Sequence, residues 1–121
     1  MTKLFRNDGS GVLKLTNVTV SGNSFSSASD NDAAVANGSY YPMYAGVPSM
    51  QLINVTIANN QTLGLLNYGT LLIRNSLIAG NISPLTDNGA VISYEVANCA
   101  NLGASFSYQA IGLLRNDEPS N

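Results

Sequence analysis

Leu52-Ile53-Asn54-Val55-Thr56-Ile57-Ala58-Asn59-Asn60 decides how this chain is read. It aligns without gaps to Leu15-Thr16-Asn17-Val18-Thr19-Val20-Ser21-Gly22-Asn23 upstream and to Ile73-Arg74-Asn75-Ser76-Leu77-Ile78-Ala79-Gly80-Asn81 downstream. Each copy has an aliphatic residue two positions before its first column: Leu13, Met50 and Leu71. In the first copy Leu13 and Leu15 share one side of a strand, and Lys14 and Thr16 share the other. The alternation slips by one residue at Asn17, after which Val18 and Val20 return to the inner side. A one-residue slip in a two-residue period is what a corner produces when it re-aims the next strand at the same interior.

The step from Asn54 to Asn75 is 21 residues and the step from Asn17 to Asn54 is 37. Repeats of about 20–50 residues stack side by side, because one unit cannot enclose a core alone. We read 21 as one full coil. The longer step is one coil carrying a loop insertion at 25–48. Stacking predicts four inward columns: Leu13/Met50/Leu71, Leu15/Leu52/Ile73, Val18/Val55/Ser76 and Val20/Ile57/Ile78. Ser76 is polar within its column, and Ile53, Leu72 and Leu77 fall on the outer side, to be covered by the insertion or another chain. Two asparagine columns, Asn17/Asn54/Asn75 and Asn23/Asn60/Asn81, are expected to bond amide to amide up the stack, since each amide carries donors and an acceptor. Phe5-Arg6-Asn7-Asp8-Gly9 and Leu65-Leu66-Asn67-Tyr68-Gly69 form a second similarity, each with an Asn-x-Gly turn signal. A weaker fourth copy runs over Tyr94-Glu95-Val96-Ala97-Asn98-Cys99, with Asn98 in the column of Asn17 and Cys99 buried in that of Val18.

The fold class is therefore all-β: a right-handed parallel β-helix (solenoid) fragment of about four to five coils, one segment over 1–121. Two other architectures share some of these features. The leucine-rich repeat has an overlapping period, but its apolar residues stand three before and two after the Asn, not two before and one after as here. An antiparallel sandwich would need the alignment to arise by chance.

Composition agrees with strands and turns. Apolar residues make up 45% of the chain, enough for a core, while charged residues are only 10%, against about 25% in ordinary domains. Asn, Ser, Thr and Gly must cover the surface. The five basic residues (Lys3, Arg6, Lys14, Arg74 and Arg115) are scattered and the net charge is −2, so nucleic-acid binding is not expected. No apolar run reaches the ~18 residues of a membrane span. The first residues lack an apolar stretch of signal-peptide length, so the chain is expected to be intracellular or an excerpt of a longer exported protein. The single cysteine, Cys99, allows no internal disulfide.

LTNVTVSGN and IRNSLIAGN, each with an Asn-x-Gly upstream, resemble the coils of bacterial right-handed β-helix proteins of the pectin-lyase-like superfamily. They are most similar to its non-enzymatic surface branch of polymorphic outer-membrane-protein-like and autotransporter-like repeats. The strings that match cover residues 4–23 and 50–83. This resemblance implies a secreted or cell-surface bacterial protein, adhesin-like, with a glycan or host-surface ligand and no cofactor. Its enzymatic branch cleaves pectin-type sugars with clustered Asp, often calcium, and a Lys, Arg or His. The alternative is thus a remnant of a polysaccharide lyase or hydrolase.

The chain has no His. Its only paired acids outside the tail are Asp30 and Asp32, oxygen-rich with Asn31 and acceptable to calcium. The plainer reading is a solvated polar loop. Tyr40 and Tyr41, with Met43, Tyr44 and two prolines, could stack on sugar rings or simply cover the coil. Tyr44 precedes Met50 by the interval separating Leu65 from Leu71, which suggests a core position. A cysteine nucleophile needs a base beside it, so Cys99 reads as a small buried residue. N-x-[ST] sequons occur at Asn17, Asn37, Asn54, Asn60 and Asn81; the repeat accounts for four of them. Without capping helices, the open coil ends are expected to self-associate or to belong to a truncated chain.

Overall fold

The computed structural model describes residues 3–24, 33–38, 47–87, 90–101 and 105–109, and among these it is all-β with no helix. The chain passes through three parallel sheets in a fixed order. The first pass comprises β1 (Lys3–Asn7), β2 (Val12–Thr16) and β3 (Thr19–Ser21). The second comprises β4 (Ala33–Asn37), β5 (Ser49–Ile53) and β6 (Thr56–Ala58), and the third β7 (Leu63–Asn67), β8 (Thr70–Arg74) and β9 (Leu77–Ala79). An antiparallel hairpin, β10 (Ile82–Asp87) and β11 (Ala90–Val96), interrupts the path. A fourth pass then adds β12 (Cys99–Asn101) and β13 (Ser105–Gln109). The sheets run β1-β4-β7-β12, β2-β5-β8-β13 and β3-β6-β9, all parallel. This arrangement is compatible with a solenoid of about four coils, the lower end of the expected number.

The repeat alignment matches the strand register. Leu13 lies opposite Met50 and Met50 opposite Leu71; Leu15, Leu52 and Ile73 follow in line, as do Val20, Ile57 and Ile78. These residues share one apolar cluster with Val35, Leu65 and Cys99 from the first sheet. Side chains from all three sheets therefore fill a common core. Each fully buried aliphatic contributes roughly 1.5–3 kcal/mol, and Met50, Leu52, Ile57, Leu65 and Leu71 are all fully buried.

Three expectations change. First, residues 33–37, inside the stretch read as an insertion, form the central strand β4 between β1 and β7. Phe5, Val35 and Leu65 are in register, as are Asn7, Asn37 and Asn67. Val35 therefore holds the core position assigned to Tyr44, which itself lies outside the described residues. Second, Asn98 stands beside Asn81, not in the column of Asn17. Cys99 is buried as expected, but it pairs with Leu65 in the first sheet. Third, Tyr94 and Val96 belong to the hairpin, and both are about half exposed.

The outer-side aliphatics Ile53, Leu72 and Leu77 are all half-buried. A smaller apolar cluster gathers Ala33, Ala36 and Leu66, with Leu63, Tyr68 and Ala100 against it. Ala36 and Leu66 follow the core residues Val35 and Leu65, so they occupy the opposite face of the first sheet.

Candidate functional site

The polar chemistry of the described residues is concentrated in asparagines, of three kinds. The first is a ladder at the second corner. Asn23 donates from its main-chain N (3.1 Å) and Nδ2 (2.9 Å) to Oδ1 of Asn60. Asn60 donates in the same way to Oδ1 of Asn81, at 3.2 and 2.7 Å, and Asn81 to Oδ1 of Asn98, at 2.9 and 3.1 Å. The remaining Nδ2 hydrogens of Asn60 and Asn81 go to the carbonyls of Val20 and Ile57. Asn60, Asn81 and Asn98 are fully buried. Nearby, a Cβ on Gly64 would stand 2.6 Å from Asn81 Nδ2 and 2.7 Å from the Asn98 carbonyl, so only glycine lets this strand approach the ladder.

A second ladder follows the end of the first sheet. Asn7 Nδ2 donates to Asn37 Oδ1 at 2.9 Å, and Asn37 Nδ2 to Asn67 Oδ1 at 2.8 Å. The same amides reach across to the next sheet, at the carbonyls of Ser49 and Thr70. Asn7 and Asn67 align in the sequence through their Asn-x-Gly turns, and Asn37 stands in register between them. Its signal was the Asn37-Gly38 dipeptide after an apolar pair, hidden by the long segments on both sides.

The third kind is the exposed corner column. Asn17, Asn54 and Asn75 have φ of 57°, 53° and 48°, in the left-handed region that Asn tolerates better than most residues. One amide bond links them, Asn54 Nδ2 to Asn17 Oδ1 at 3.1 Å. Asn54 and Asn75 sit on adjacent strands, with Asn54 N donating to the Arg74 carbonyl. The sequons thus divide. Asn37, Asn60 and Asn81 are fully buried, and Asn17 and Asn54 are exposed.

Ser76, the polar exception in an inward column, is buried and bonded. Its Oγ accepts from Val55 N at 3.1 Å and donates to the Arg74 carbonyl at 2.7 Å. Arg6 pairs with Asp8 at the surface. Arg74 is exposed at the end of β8. Asp30, Asp32, Tyr40 and Tyr41 lie outside the described residues. Among the described residues no group of three or more His, Cys, Asp or Glu could hold a metal ion, and no helix is long and apolar enough to cross a membrane.

No protein-family model matches this chain, and no curated protein or solved structure matches it either.

Proposed function

We propose that this chain is a non-enzymatic structural or adhesive segment of a secreted or cell-surface bacterial protein, built as a right-handed β-helix of the pectin-lyase-like kind. One observation supports this reading above the rest. The buried polar side chains Asn7, Asn37, Asn60, Asn81 and Ser76 all bond to a neighbouring pass, so they serve stacking. The side chains left facing water on β2 and β3 are Val12, Lys14, Thr16, Thr19 and Ser21, a display surface with little charge. In this reading Tyr40 and Tyr41 stack on a glycan of the host or matrix surface.

The test is binding of the whole chain to immobilised glycans of several classes. The expected result is retention on at least one class, lost in Tyr40→Ala/Tyr41→Ala with the melting temperature unchanged. Calcium-dependent cleavage of a pectin-type polysaccharide by the pure chain, abolished by Asp30→Ala, would replace this reading with the enzyme-remnant one.

A further inference from the structure

The N-x-[ST] sequons of this chain are treated by the fold in two ways. An N-linked sugar is attached at Nδ2 of the asparagine, and the sequon's hydroxyl stands two residues later. At Asn37, Asn60 and Asn81 that nitrogen is closed off. All three residues are fully buried. Each Nδ2 donates both to the next asparagine of its ladder and to a main-chain carbonyl: Thr70 for Asn37, Val20 for Asn60 and Ile57 for Asn81. A substituent on any of them would break the ladder.

Asn17 is the opposite case. It lies at the corner between β2 and β3 with an exposed side chain, and its Nδ2 donates to no group among the described residues. Its Oδ1 accepts from Asn54 Nδ2 at 3.1 Å, a bond that a sugar on the Asn17 nitrogen leaves intact. Thr19, the hydroxyl of this sequon, is exposed on β3. Val18 between them packs against the core, and Asn17 N donates to the Ile53 carbonyl. Acceptor and hydroxyl are thus both presented to solvent on a backbone tied down from within. Asn54 is exposed too, but its Nδ2 already donates to Asn17, and Thr56 is half-buried. Passes lie about 4.8 Å apart, so a sugar on Asn17 crowds Asn54 and blocks a second. The third copy of this corner, Asn75-Ser76-Leu77, has no hydroxyl in that place.

We propose that Asn17 is an N-glycosylation site, filled after folding from a nucleotide-activated sugar by a sequon-reading transferase. Nδ2 forms a bond to the anomeric carbon, and the bond from that carbon to the donor's phosphate oxygen breaks. The nucleoside diphosphate leaves with the electron pair, and one Nδ2 proton passes to a base of the transferase. Transfer follows folding, because only the fold distinguishes Asn17 from the three buried sequons. The inference is separate from the glycan-binding reading: here the chain carries sugar on its own amide, and Tyr40 and Tyr41 take no part.

Two samples test it. In chain purified from its native source, peptide mapping by mass spectrometry is expected to find sugar on Asn17 and bare amides at Asn37, Asn60 and Asn81. In the second, unmodified folded chain is incubated with UDP-glucose and an asparagine glucosyltransferase, beside short peptides that carry each sequon in open form. The folded chain is expected to gain a single hexose, on Asn17. Thr19→Val keeps the strand preference and removes only the hydroxyl, so it is expected to lose that increment with the melting temperature unchanged. A bare Asn17 in the native-source chain overturns the proposal. So does a folded chain that stays unmodified while the Asn17 peptide reacts, or one modified first at Asn54 or at a buried sequon. Failure of the Asn17 peptide overturns it as well, since the sequon is then unread even when open. Undiminished transfer to Thr19→Val would do the same.

Discussion

Two asparagine columns, one at each corner flanking the shortest strands, use the same side chain for opposite purposes. At the corner after β6 and β9, Asn60 and Asn81 are fully buried, and their amides replace the water that the turning backbone has lost. At the corner before β6 and β9, Asn54 and Asn75 face solvent and are valued for a backbone conformation that most residues resist. What matters inside is the amide's hydrogen-bonding capacity. Outside, it is the low cost of a positive φ. A substitution that removes the amide should therefore harm the first column far more than the second.

The largest effect is expected at Asn81. Alanine there removes two bonds that Nδ2 donates, to Ile57 O and Asn98 Oδ1, and two that Oδ1 accepts, from Asn60 N and Nδ2. Because the partners stay buried, their desolvation is left uncompensated, and we expect a loss of about 4 kcal/mol in urea unfolding. A loss under about 1 kcal/mol would mean that water enters the corner and the ladder contributes little. Ser76→Val should come next. Valine restores the column's apolar pattern yet strips Val55 N of its acceptor. The apolar gain and the orphaned N–H oppose each other, leaving an expected destabilisation of about 1–2 kcal/mol. Greater stability in Ser76→Val would show that the column wants only volume.

The same contrast explains which parts of the molecule the sequence displayed. The second and third sheets were legible because the corner between them is always two residues, Asn17-Val18, Asn54-Val55 and Asn75-Ser76, so their strands keep one spacing in every pass. The first sheet was not. Its strands repeat at 30 residues (Asn7, Asn37, Asn67) while the other two repeat at 37 and then 21 (Leu13, Met50, Leu71), because extra length enters at different corners. A stretch with long segments on both sides of a short alanine-rich strand looks like one loop. Cys99 and Asn98 were misplaced for a related reason: the hairpin before them shifts the spacing, and an apolar run with an Asn fits either column. The ladder role of Asn23, Asn60 and Asn81 was visible as repetition, but the bifurcated acceptance at each Oδ1 depends on backbone geometry that no spacing encodes.

The smallest effects belong to the exposed corner, and they test the comparison most finely. Asn75 has φ of 48° and an exposed side chain that makes no side-chain bond among the described residues. Alanine at this position must carry its Cβ into the left-handed region, which costs about 1 kcal/mol. Glycine has no such penalty, although it adds freedom to the unfolded chain, and the two terms should cancel to within about half a kcal/mol. We therefore expect Asn75→Gly to unfold at nearly the urea concentration of the parent and Asn75→Ala measurably below it. At Asn81 the order should vanish, with glycine no better than alanine, since neither supplies an amide. If Asn75→Gly were as damaging as Asn75→Ala, the corner would depend on its side chain after all, and the division between the two columns would fail at its outer member.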